Sequence, residues 1–144
     1  MKIIYAILLT LFMLGCDVKT KTTVTAKPSE EKTKEVLEHH WNTFKANDLE
    51  GVLVDYTDES VLIIPDTTLI GLAALRQHFA KVFTVFPKDS TTLQLNKSVV
   101  NQDVGYIIWE ATAPTLKVSY GTDTFIIQNG KIVRQTFAGV ITPL

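Results

Sequence analysis

Apolar residues change their spacing at Pro87, and no other feature of the sequence limits the possible folds as much. Before that proline, Leu72, Leu75, Phe79, Val82 and Phe83 recur at the spacing of one helix face. After it come four segments rich in β-branched and aromatic residues: TTLQLNKSVV, YIIWEATA, LKVSYGTDTFII and KIVRQTFAGVI. They are separated by Asn101-Gln102-Asp103, by Pro114-Thr115 and by Gln128-Asn129-Gly130. Asn-Gly between two such runs marks a tight antiparallel hairpin. Helices first and antiparallel strands afterwards describe an α+β domain, because a sheet with one apolar face needs helices laid over it.

The helical half carries its own punctuation. Ser29 reads as an N-cap ahead of Glu30 and Glu31, and Val36, Leu37, Trp41 and Phe44 form an apolar stripe. At about 100° per residue His40 falls inside that stripe and His39 on the opposite, wet side. Asn47-Asp48 ends this helix and can cap a short second one with Leu49, Val52, Leu53 and Tyr56 on one side. SVLIIP reads as a buried strand, and the third helix runs from Gly71 to just before Pro87. Residues 29–144 make a single domain, long enough to bury about two thirds of its unfolded surface around one core. There is no repeat at a solenoid or propeller period. The net charge of -1 disfavours a nucleic-acid or polybasic membrane role.

Lys2 precedes an uncharged, mainly apolar run over residues 3–14, the layout of a secretory signal. The run is shorter than the roughly 20 residues a spanning helix needs. Met13-Leu14-Gly15-Cys16 resembles the bacterial lipobox and contains the only cysteine of the chain. That resemblance implies cleavage before Cys16, lipidation of its thiol, and attachment to the extracytoplasmic side of a bacterial membrane. Two or more acyl chains hold stably where one does not. Asp17 resembles the signal that retains enterobacterial lipoproteins in the inner membrane. The expected organisation is a signal peptide over residues 1–15, a lipidated cysteine and flexible Thr- and Lys-rich tether over 16–28, and the domain over 29–144.

The order helix, helix, strand, helix, then antiparallel meander resembles the nuclear transport factor 2-like superfamily, in particular its SnoaL-like branch. ANDLEGVLVDYTDESVLIIP is similar to that family's passage from the first helices to the first strand. IGLAALRQHFAKVF is similar to its third helix, and GTDTFIIQNGKIVRQT to its final hairpin. The resemblance implies a curved antiparallel sheet rolled into a cone, three N-terminal helices closing the wide side, and an apolar pocket within. Members include cofactor-free isomerases, dehydratases, cyclases and epoxide hydrolases, together with binding and dimerisation modules. Steroid isomerases place their base just before a proline after the first strand, where this chain has Ile64-Pro65. Polyketide cyclases carry a His-Trp-Asp type run where this chain has Gln135-Thr136-Phe137. Neither set of catalytic residues transfers.

Candidate site residues follow from alternation within the expected strands. Trp109 alternates with Ile107 and Ala111, Asp123 with Phe125 and Ile127, and Gln135 with Val133 and Phe137. His40 and Trp41 come from the first helix and Tyr56 from the second. An aspartate in an apolar pocket resists ionising and can act as a general acid or a strong base, with a histidine to shuttle the proton. Asp123 and His40 are the candidate catalytic pair, and Trp41, Tyr56, Trp109 and Gln135 the candidate pocket. The bland alternatives are an Asp123 on the outer face, a satisfied core histidine at His40, and aromatics that only pack. His78 reads as boundary packing.

Glu35 and His39 share a helix face, but two residues on a wet surface are a poor metal site. No metal or cofactor is expected, because no phosphate-binding glycine loop, nucleophile elbow or CxxC pair occurs. The favoured reading is a tethered domain binding a small apolar or aromatic molecule. The alternatives are a cofactor-free isomerase, dehydratase or cyclase, and a homodimeric interaction module pairing through Tyr106, Ile108 and Thr112.

Overall fold

The computed structural model describes residues 29–144. The expected signal peptide, lipobox and tether lie outside the described residues. Helix α1 (Glu30–Lys45) starts where Ser29 Oγ accepts the Lys32 amide at 3.3 Å, with two glutamates in its first turn favoured by the helix dipole. Its end turns through Asn47 at φ 53, whose side-chain amide donates to the carbonyls of Phe83 and Phe86. Asp48 then caps α2 (Leu49–Val54) by accepting the Gly51 amide at 2.9 Å. Helix α3 (Gly71–Val85) opens on Gly71 at φ +80, where a Cβ would meet the Asp58 carbonyl oxygen at 2.9 Å. No helix among the described residues is long and apolar enough to cross a membrane.

Six strands make one sheet: β1 (Val61–Ile64), β2 (Thr67–Ile70), β3 (Thr92–Asn101), β4 (Val104–Thr112), β5 (Leu116–Gln128) and β6 (Lys131–Pro143), in the order β2-β1-β6-β5-β4-β3. Register shifts fall at Leu95/Lys97, Trp109/Ala111, Val118/Tyr120 and Ile126/Ile127. Each such bulge bends its strand and adds twist, which curls the long strands around the helices.

Three local expectations need correction. The sheet is mixed, because β1 runs parallel to β6; more than half of the domain, residues 65–130, connects these two strands, and a parallel pair requires a long crossover. Within the strand read from SVLIIP, Val61–Ile64 form β1 and bury only Leu62, while Ile63 stays 46% exposed. It forms a hairpin with β2, an edge strand that went unexpected. Tyr56 lies two residues beyond the end of α2, outside the helix that was expected to carry it.

The core lies between α1 and α3 and the inner face of the sheet. Leu37, Trp41, Leu75 and Phe79 meet Ile107, Trp109, Phe125 and Ile132 there. Polar ties fix the helices in place. Thr33 Oγ1 donates to the Gln102 carbonyl at 2.7 Å, and buried Ser60 donates to the Ile132 carbonyl at 2.6 Å. Arg76 grips Glu50 with both terminal guanidinium nitrogens, joining α3 to α2.

Candidate ligand pocket

Curvature leaves a cavity of about 400 Å³ between the sheet and the helices. Trp41, Phe44, Phe79, Trp109, Phe125 and Phe137 give it aromatic walls, and Asp66, His78 and Lys81 are the charged or titratable residues contributed by the β1–β2 turn and α3. Trp109 lies against Phe137 with centroids 5.8 Å apart and planes at 28°, and against Trp41 at 6.4 Å. A volume and lining of this kind suit one small, mainly apolar molecule.

Asp123 is a buried carboxyl in this wall, 6% exposed, facing inward with Phe125 and Ile127. Trp109 Nε1 donates to its Oδ2 at 2.7 Å and Gln135 Nε2 to its Oδ1 at 2.8 Å. Tyr56 donates in turn to Gln135 Oε1. The carboxyl is thus held by two uncharged donors, with no lysine or arginine within ion-pair distance among the described residues. Each oxygen accepts one protein hydrogen bond, which leaves lone pairs for a ligand.

Burial pushes the Asp123 carboxyl above its ordinary value, outweighing the downward pull of the Gln135 and Trp109 hydrogen bonds and of His40. An acid shifted this way stabilises the fold most below its unfolded value, near 3.8, and loses that contribution as the pH rises through the folded value. The unfolding free energy of the wild type, taken relative to Asp123→Asn, should therefore fall as the pH is raised from about 4. Urea titrations at several pH values check this. A difference that stayed flat or rose with pH would mean that the site does not resist ionisation.

His40 lines the same cavity, with its ring edge-on to Tyr56 at 5.5 Å, Phe79 at 6.0 Å and Phe125 at 5.3 Å. It makes no hydrogen bond to Asp123, although both line the cavity. Tyr56 is not on the cavity wall; it sits behind Gln135 and positions it. Burial, then the charges of Asp123 and Asp55, push its hydroxyl well above the ordinary tyrosine value and keep it a donor. His78, read as boundary packing, lines the cavity, and its burial together with Lys81 lowers its basicity.

Asp55 is the residue that sequence reasoning missed. Its buried carboxylate takes His39 Nδ1 at 2.8 Å and lies 3.5 Å from His40 Nδ1. The available signal was an aspartate embedded in the apolar run VLVDY. Glu35 and His39, weighed as a metal pair and set aside, are held by Lys32 and Asp55 respectively. No group of three or more potential metal ligands occurs among the described residues.

The sequence profile of the SnoaL-like domain matches residues 37–135. The chain belongs to the SnoaL-like domain family. No curated protein matches it. Among solved structures, this SnoaL-like domain is similar to the epoxide hydrolase/cyclase-like enzyme SalBIII of salinomycin pyran-ring formation, at TM-score 0.67 and 19% identity over 81% of this chain and 98% of that one. A protein provisionally assigned as a ketosteroid isomerase from Kribbella flavida aligns at TM-score 0.66 and 14% identity over 81% of each chain. TerC, co-crystallised with polyporic acid, aligns at 0.64 and 16% over 76% of this chain and 92% of that one. Identities this low establish a shared NTF2-like fold and leave the chemistry to the site. In this SnoaL-like domain Ile64 and Pro65 line the cavity, so the steroid-isomerase base position presents apolar surface here.

Proposed function

We propose that the domain binds one small, mainly apolar or aromatic molecule in its cavity and presents Asp123 and His40 to the polar end of that molecule. One observation carries the reading: an aromatic-walled cavity of about 400 Å³ contains a buried carboxyl partnered only by uncharged donors. Such a group can hydrogen-bond a ligand hydroxyl, and its burial disfavours ionisation. 2-Naphthol is a suitable probe, followed through the two indole N–H resonances in NMR spectra. Both should shift saturably, because Trp41 and Trp109 line the cavity. If neither moved up to the solubility limit of the probe, the reading would fail.

A second reading is cofactor-free acid-base catalysis by an isomerase, lyase or cyclase. The placement of Asp123, whose ionisation burial disfavours, and of an unbonded His40 edge on one cavity favours it, and SalBIII offers an enzymatic precedent for the fold. It requires Asp123→Asn to abolish turnover of a bound substrate while leaving binding within a few fold.

The domain is further proposed to hang from the extracytoplasmic face of a bacterial membrane by lipid on Cys16, the inner membrane in a Gram-negative host. The sequence around Cys16 supports this. Radiolabelled palmitate should be incorporated into the wild type in a bacterial host and not into Cys16→Ser; equal labelling would remove the anchor. The outer sheet face, where Val99, Tyr120 and Val140 are exposed, supports pairing of two domains as a further proposal.

A further inference from the structure

We infer that Asp55 is a positioning residue for the pocket. It holds the Nδ1 proton of His40 and thereby presents a bare Nε2 lone pair to the cavity, which suits the site to ligands carrying a weakly acidic hydroxyl such as a phenol or enol. The inference rests on the pocket reading above and specifies its ligand class.

The geometry begins with two enclosed atoms that have no other partner, His40 Nδ1 and Asp55 Oδ2, which lie 3.5 Å apart. Buried polar atoms are rarely left unpaired, and a separation of this size closes to a hydrogen bond with a small side-chain shift. A carboxylate only accepts, so the facing nitrogen must carry the proton. Neutral imidazole has one N–H, and protonation at Nδ1 leaves Nε2 as an acceptor.

Asp55 is well fixed for this task. Its backbone carbonyl accepts the Ile132 amide at 2.7 Å, and its Oδ1 takes His39 Nδ1 at 2.8 Å. Tyr56, Phe79 and Phe125 pack edge-on around the His40 ring and oppose its rotation. His40 Nε2 has no hydrogen-bond partner among the described residues and is not one of the enclosed atoms, and the open space that His40 borders is the cavity. A carboxylate that orients an imidazole in this way sets which nitrogen does the work.

The polar groups at the cavity then differ in sense. Nε2 accepts from a ligand hydroxyl, while Asp123, a carboxyl whose ionisation burial disfavours, donates to a ligand oxygen when it is protonated. A flat apolar molecule with a phenolic or enolic O–H matches both, whereas its methyl ether leaves Nε2 unpaired.

The test is a long-range 1H–15N spectrum of the full chain, labelled at histidine and recorded at mildly alkaline pH, with resonances assigned through His39→Gln and His78→Gln. The expected wild-type result is a protonated Nδ1 and a bare Nε2 at His40. Asp55→Leu should move the proton toward Nε2. A wild-type His40 protonated on Nε2, or a tautomer unchanged in a folded Asp55→Leu, would overturn the assignment. Should Asp55→Leu fail to fold, the wild-type spectrum decides alone. For the ligand class, 2-naphthol should bind about tenfold more tightly than 2-methoxynaphthalene, the effect of one hydrogen bond. Equal affinities would overturn the ligand class and leave the pocket standing. Binding of neither would remove the pocket reading and the ligand class with it, and the tautomer result would still judge the role of Asp55.

Discussion

Gly121→Ala is expected to lower the unfolding free energy by about 3 kcal/mol and to detach Trp109 from Asp123. Gly121 and Trp109 are register partners on β5 and β4, and the indole lies across the strand where a side chain would otherwise stand. A Cβ on Gly121 would sit 2.7 Å from Trp109 Cε2 and 2.9 Å from Cδ2, closer than van der Waals contact allows. The indole cannot simply lean away, because Phe137, Trp41 and Phe44 pack around it. The substitution therefore combines overpacking, about 1–3 kcal/mol, with loss of a buried hydrogen bond, about 0.5–1.5 kcal/mol. Against a total stability of about 5–15 kcal/mol the change is large. Urea unfolding followed by tryptophan fluorescence measures it. A loss below about 0.5 kcal/mol with unchanged emission would show that the indole does not occupy that place.

Asp123→Leu should cost about 2–5 kcal/mol, whereas Asp123→Asn should cost less than about 1.5 kcal/mol. Leucine removes the acceptor for Trp109 Nε1 and Gln135 Nε2 and leaves two buried donors unsatisfied. Asparagine keeps one acceptor oxygen, and the Gln135 amide can turn over so that its oxygen meets the new N–H while its own N–H faces the Tyr56 hydroxyl. The relay from Tyr56 through Gln135 can thus reverse its polarity. The two variants should therefore differ clearly in stability. Equal stability losses in denaturant would mean that the relay does not operate.

The features of the fold that were legible in the sequence are those set by local spacing. The change of period at Pro87, the Asn-Gly hairpin and the Asp48 cap depend on residues close together in the chain. Alternation grouped Trp109 with Ile107 and Ala111 and Asp123 with Phe125 and Ile127, but left open which face lines the pocket, because a bulge in a strand shifts the side that later residues take. Strand β2 was not legible because its Thr67-Thr68 carries no apolar alternation and its burial is slight. The parallel pairing of β1 with β6 joins segments about seventy residues apart, a distance over which alternation carries no information. Tyr56 was misplaced because helical spacing was extended past the helix end at Val54, after which side chains no longer follow that period. Asp55 escaped notice for a related reason: its histidine partners lie on a different helix and only the packing of α1 against α2 brings them together.

The measurement that bears most directly on the pocket is native mass spectrometry of residues 29–144, which carry every described helix and strand, exported in a bacterial host and purified gently. The account predicts a species heavier than the polypeptide by one small molecule, released on mild activation and displaced by 2-naphthol. Bare polypeptide whose mass is unchanged after incubation with 2-naphthol would contradict it.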